Sequence, residues 1–95
     1  MTPISADSVV QRRKDLLATD LSRTESVVLD VAGGSYYGLK NVGKAIWDHL
    51  NSPVGVSTLC ERLMEEFDVD PETCRSETTA FLEQLRERGL IVADG

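Results

Sequence analysis

Positive charge, aromatic side chains, histidine and long apolar runs are all scarce in this sequence. Ten Lys and Arg stand against 16 Asp and Glu, a net charge of −6 over 95 residues. An acidic surface repels phosphate backbones unless its cations are gathered on one face, so nucleic acid is not an expected partner. The one concentrated positive run, Arg12-Arg13-Lys14, reads alone as a solvated strand end. No stretch nears the roughly 18 consecutive apolar residues of a membrane span. The opening MTPISADSVVQRRK has no apolar run of signal-peptide length, and its basic cluster follows the apolar pair. A cytoplasmic protein with no membrane partner is expected.

Chemistry-bearing residues are equally sparse. His49 is the single histidine, and a catalytic role would need a nucleophile folded onto it that neither cysteine obviously supplies. Cys60 and Cys74 match no metal spacing and read as reduced, half-buried thiols. Asp68, Asp70 and Glu72 resemble the opening of a calcium loop, but Thr73 stands where that loop needs Gly and Thr79 where it needs Glu. Gly33, Gly34, Gly38 and Gly43 fit neither dinucleotide-binding nor phosphate-loop spacing. No catalytic residue, metal ligand or cofactor is assigned.

What is present is one modest domain, 1–95, with 1–7 and 93–95 expected to be flexible. At this size roughly 60–68% of the unfolded chain's surface can be buried, enough for one core. SVVQR is a short β-branched strand, followed by a polar loop at 19–23. ESVVLDV is the strongest strand, with Val27, Leu29 and Val31 on one face and Val28 and Asp30 on the other. Gly33-Gly34 suits a two-residue hairpin loop, and SYYGL returns as partner strand. Gly38 there suggests a bulge or a close backbone approach.

After Lys40 the apolar period lengthens from two to about 3.6 residues. Asn41 is a candidate N-cap for a helix burying Val42, Ile46, Trp47 and Leu50, ended by Asn51-Ser52-Pro53. A second helix is expected over 57–67, with Leu59, Cys60, Leu63, Met64 and Phe67 as its stripe. In DVDPETC, Asp70 caps, Pro71 takes the first helical position and Glu72 complements the dipole. That third helix runs to a Gly89 stop, and LIV after it packs back as a tail or strand. The class is α+β: a three-stranded antiparallel sheet followed by three helices, the inventory of a winged helix-turn-helix. A DNA-reading third helix should be basic, yet Glu72, Glu77, Glu83 and Glu87 outweigh Arg75, Arg86 and Arg88.

SYYGL carries neither Pro nor Lys to blunt it as an edge, and Lys40 comes only at its end. An extended peptide can add to such an edge through main-chain hydrogen bonds. Tyr36 and Tyr37 point to opposite faces, leaving open which packs in the core and which lines a groove. The stripe Cys74, Thr78, Phe81, Leu82 and Leu85 would form the facing wall, with Arg75 and Glu77 on the rim.

ESVVLDVAGGSYYGLKNVGKAIWDHL followed by VDPETCRSETTAFLEQLRERGLI resembles the PqqD-like proteins, or RiPP recognition elements. The stand-alone members of lasso-peptide pathways are the nearest group, and the resemblance spans 9–92. It rests on an L-D-x-x-x-G-x-Y-Y-G-L hairpin at 29–39, a V-G-x-x-I-W helix at 42–47 and a D-V-D…C…F-L-x-x-L…G-L-[IV] ending. It implies a non-enzymatic protein that binds the leader of a ribosomally made precursor peptide as an extra strand on the third strand, in the cleft with the third helix. The implied partners are the precursor, a cysteine-type leader peptidase and an ATP-dependent cyclase. Lasso leaders typically offer a Tyr-x-x-Pro element to this cleft. Carried onto this chain, the peptide-binding set is Leu29, Ser35, Tyr36, Tyr37, Gly38, Leu39, Cys74, Arg75, Glu77, Thr78, Phe81, Leu82 and Leu85. Lys40 departs from the usual Asn, which bears on fine specificity. A PqqD-type chaperone for a radical SAM maturase shares the fold and is the alternative, with a winged-helix DNA-binding protein behind it.

Overall fold

The computed structural model describes residues 2–94, an α+β domain of two three-stranded antiparallel sheets and three helices. The first sheet joins β1 (Val9–Arg12), β5 (Val54–Gly55) and β6 (Ile91–Asp94) in the order β5-β1-β6. The second runs β2-β3-β4, from Leu17–Asp20, Glu25–Asp30 and Ser35–Lys40. The helices are α1 (Val42–His49), α2 (Val56–Glu66) and α3 (Pro71–Glu87).

Three strands differ from the sequence reading, one of them β5, which pairs with β1 between two expected helices. β2 takes the first two residues of the expected 19–23 loop, pairing Leu17 with Leu29 and Asp20 with Ser26, while 21–23 remain a loop. All four β2 residues are exposed, so no apolar alternation marks them. β1 leaves the hairpin sheet and pairs instead with β6, Val10 opposite Ala93. That partner comes from the far end of the chain, beyond the reach of any local pattern.

The β3 face that looks apolar turns outward. Val28 is fully buried, whereas Leu29 and Val31 are exposed. Ser26 holds an inward position because its hydroxyl donates to Asp20 Oδ1 at 2.6 Å, which satisfies a polar group inside the fold. The hairpin loop has four residues, 31–34, in place of the expected two. Only Gly34 takes a positive φ, +70°, and its N–H donates to the Asp30 carbonyl at 2.8 Å. Gly33 donates to Asp30 Oδ1 at 3.0 Å, so close that a Cβ on Gly33 would meet that carboxylate. Gly38 pairs with Val27 in unbroken register, so there is no bulge, and no atom crowds its Cβ position.

The helices follow the expected pattern with small shifts. Asn41 stands at the cap of α1 but makes no side-chain cap bond. It takes φ 53° and ψ −119°, a conformation glycine adopts more readily. Asp70 Oδ2 accepts from the Thr73 N–H at 3.2 Å, and Pro71 opens α3. The helix ends in a full Schellman turn: Gly89 at φ +72° donates to Arg86 O, and Leu90 donates to Leu85 O. Trp47, Leu50, Leu59, Leu63, Leu82 and Leu85 meet Val28 and Leu39 in one core. At the ends expected to be flexible, Ile4 is buried and Ala93 and Asp94 pair in β6; Met1 and Gly95 lie outside the described residues.

Candidate peptide-binding site

β4 is an edge of its sheet, so one side of its backbone has no strand partner. The Asn41 N–H donates to Thr24 O at 2.7 Å, which fixes the phase of the β3–β4 ladder. Hydrogen-bonded pairs alternate along an antiparallel ladder, so Leu39, Tyr37 and Ser35 bond inward to β3. The N–H and C=O groups of Tyr36, Gly38 and Lys40 therefore face the open edge. Side chains alternate as well: Leu39 and Tyr37 turn toward the core, and Tyr36 points away, 77% exposed.

Beside this edge lies a cleft of about 530 Å³. β4 contributes Gly38, Leu39 and Lys40; α1 contributes Val42, Gly43 and Ile46; α3 contributes Cys74, Glu77, Thr78 and Phe81. Leu63, Phe67, Asp68 and Val69 close its far end. The walls are mostly apolar, with a few polar groups placed at the rim, the usual make-up of a pocket for an apolar ligand. Glu77 and Asp68 make the rim acidic, and Lys40 is its cation, 3.7 Å from Glu25. The floor is neutral. Cys74 Sγ donates to Cys60 O at 3.7 Å, and burial, reinforced by Cys74, pushes the Cys60 thiol up from its ordinary pKa.

Of the residues singled out in the sequence, Gly38, Leu39, Cys74, Glu77, Thr78 and Phe81 meet in this cleft. Tyr37 lies farther along β4, its ring under the Arg88 guanidinium at 4.7 Å, a cation–π pair. Ser35 and Tyr36 border the same small hollow. Leu82 and Leu85 are fully buried in the core. Leu29 sits across from Tyr36 on the outer sheet face, and Arg75 lines a separate hollow with Ala6 and Cys60. Ile46 and Leu63 are buried in the core, as their helical stripes suggest, with half-buried Phe67 packed against them, and all three also line the cleft. Gly43, Val69 and Arg88 were not among the residues assigned to the site; Gly43 had a signal, since a bare helix position admits a neighbouring ring. His49 lies outside the cleft, its Nε2 2.9 Å from Glu66 Oε1.

Among the described residues no group of three His, Cys, Asp or Glu could hold a metal ion. Among the described residues no helix is long and apolar enough to cross a membrane.

No curated protein matches the sequence. A solved structure titled "TbiB1 in Complex with the TbiA(beta) Leader Peptide" superposes with a TM-score of 0.78 at 25% identity, covering 85% of this chain and 93% of the other. The family model "Coenzyme PQQ synthesis protein D (PqqD)" matches residues 25–91, from β3 through the start of β6 and so across both walls of the cleft. With most of the chain matched, the protein belongs to the PqqD family.

Proposed function

We propose that this protein is a non-catalytic recognition element that binds the leader segment of a ribosomally made precursor peptide. The leader adds as a strand along the open edge of β4 and sets side chains into the cleft with α3. The observation that carries the reading is the junction of a free strand edge with an apolar cleft. The free N–H and C=O groups of Tyr36, Gly38 and Lys40 offer a ladder, and the pocket between Phe81, Ile46 and Val69 offers a place for apolar anchors. The likeness to TbiB1, whose structure holds a leader peptide, supports the same occupant.

In this reading Gly38, Leu39, Cys74, Glu77, Thr78 and Phe81 contact the peptide directly. Tyr37 and Arg88 bound the far end of its path, and Leu82 and Leu85 hold the wall in place from the core. The loaded protein presents the precursor to a cysteine-type leader peptidase and an ATP-dependent cyclase, the lasso-peptide sequence of events. Service to a radical SAM maturase is the second reading, favoured by the description of the matching family model.

The test is fluorescence anisotropy of labelled leader peptides against the purified protein. A lasso leader carrying Tyr-x-x-Pro should bind saturably, and the same leader with alanine at Tyr and Pro should bind at least about tenfold more weakly. Tighter binding of a leader from a radical-enzyme precursor would favour the second reading. Absence of saturable binding by either would overturn both.

A further inference from the structure

The basic run at the end of β1, Arg12-Arg13-Lys14, takes no part in the cleft. It borders a second hollow of about 580 Å³ on a different face of α1. The cleft uses Val42, Gly43 and Ile46; this hollow uses Trp47 and Asp48.

Its donors and acceptors do not balance. Trp47 is 1% exposed, yet its Nε1–H has no acceptor among the described residues. The Arg12 guanidinium lies 5.2 Å from the Trp47 ring centroid and has no carboxylate within ion-pair distance among the described residues. The two acids of the hollow are already engaged. Asp48 accepts from Lys44 Nζ at 2.7 Å, and Asp20 accepts from the Ser26 hydroxyl, with Lys44 3.7 Å away. Arg13 is spent on Asp15 and on the Gly89 carbonyl.

We propose that this hollow binds a carboxylate, received by the Arg12 guanidinium and the Trp47 indole N–H. A buried donor without an acceptor calls for a partner. A water would satisfy the indole and leave Arg12 with only the longer-range attraction of Asp20, which is already held by Ser26 and Lys44. The lining holds three cations against two carboxylates, a surplus of one positive charge. One negative charge balances that surplus, whereas a doubly charged phosphate would be repelled by Asp20 and Asp48. A planar carboxylate also matches the fork of a guanidinium. Its source is either an Asp or Glu side chain of a partner protein or a free small acid. The site stands apart from the cleft, so it neither needs leader binding nor is excluded by its failure.

Trp47 is the single tryptophan, so its indole N–H gives one resonance in a ¹H–¹⁵N spectrum of the labelled full chain. The probes are acetyl-Gly-Glu-Gly-amide, its Gln counterpart and sodium acetate, at fixed ionic strength with chloride. The Glu peptide should move the indole signal saturably, and the Gln peptide should not. Arg12→Gln should weaken that response about tenfold or more, with a thermal melt to establish that the variant folds. Exposed Lys14→Gln is the second variant, with a smaller loss in the same direction. Saturation by acetate at the same concentration as by the Glu peptide would identify a free acid, and tighter binding of the peptide a protein side chain. An indole signal unmoved by both acids, or moved equally by the Gln peptide, overturns the proposal.

Discussion

Phe81 Cζ lies 3.2 Å from the point that a Cβ on Gly43 would occupy, so α3 and the first turn of α1 meet through a ring laid on bare backbone. Gly43→Ala would press on that ring. Phe81 is half-buried with the cleft beside it, so it yields into the cleft. Alanine is favoured over glycine in a helix by about 0.5–1 kcal/mol, which offsets the strain. The expected outcome is an unchanged thermal midpoint with leader affinity several-fold lower. Unchanged affinity would place Phe81 outside the contact surface.

Neighbouring residues of β4 should answer differently to proline. Tyr36 directs its N–H to the open edge, so Tyr36→Pro removes a group that β3 does not use. Tyr37 bonds inward opposite Val28, so Tyr37→Pro breaks the hairpin ladder. Circular dichroism should show Tyr36→Pro folded and Tyr37→Pro severely destabilised. Titration should show leader binding lost in the folded variant. A folded Tyr36→Pro that binds normally would exclude strand addition along β4.

The helical half of the fold was legible because its signals are local. Asp70, Pro71 and Gly89 mark α3 within a residue or two, and each does in the structure what its chemistry suggests. The sheets were less legible because pairing is not local. Nothing in VVQR names IVAD as its partner, and Leu17–Asp20 has no buried side chain to betray a strand. The cleft was half legible. Cys74, Thr78, Phe81, Leu82 and Leu85 read as one facing wall, but Leu82 and Leu85 lie in the core and only the other three reach the cleft. Which member faces the cleft depends on how α3 rolls against α2, and spacing alone does not fix that roll.

Glu77 and Arg75, two residues apart on α3, line different hollows. Both were assigned to the rim from sequence, yet Glu77 lines the cleft and Arg75 faces a different hollow. Arg75→Gln should leave leader affinity within about twofold. Glu77→Gln should change both the affinity and its dependence on salt, measured by anisotropy at two ionic strengths. Equal effects from the two would mean the peptide wraps beyond the cleft.

Asn41 links β4 to α1 at φ 53° and ψ −119°. A non-glycine residue held there costs on the order of 1–3 kcal/mol. Asn41 is exposed and makes no side-chain cap bond, so little is lost with its side chain. Asn41→Gly should raise stability by about 1 kcal/mol in urea unfolding, after glycine's own backbone entropy is set against the relieved strain. A loss of stability would show that the side chain holds the turn.

Acid should weaken the fold through its caps. Thr73, by side-chain and then backbone hydrogen bonding, holds the Asp70 carboxyl below its usual pKa. Ser26 and then Lys44 do the same for Asp20. A carboxyl whose pKa is lower folded than unfolded adds stability at neutral pH and loses it as pH falls through the folded value. Asp70→Ala should therefore lower the thermal midpoint by a few degrees at pH 7, where the wild type has the full cap. The gap should narrow as pH falls below about 4, the ordinary carboxylate range, down to the part that a neutral carboxyl keeps by still accepting from the Thr73 N–H. Asp70→Asn should lose less, since a neutral amide still accepts from the Thr73 N–H, and that part should not vary with pH. A gap between wild type and Asp70→Ala that stayed constant from pH 7 to pH 2 would mean that the cap acts without its charge.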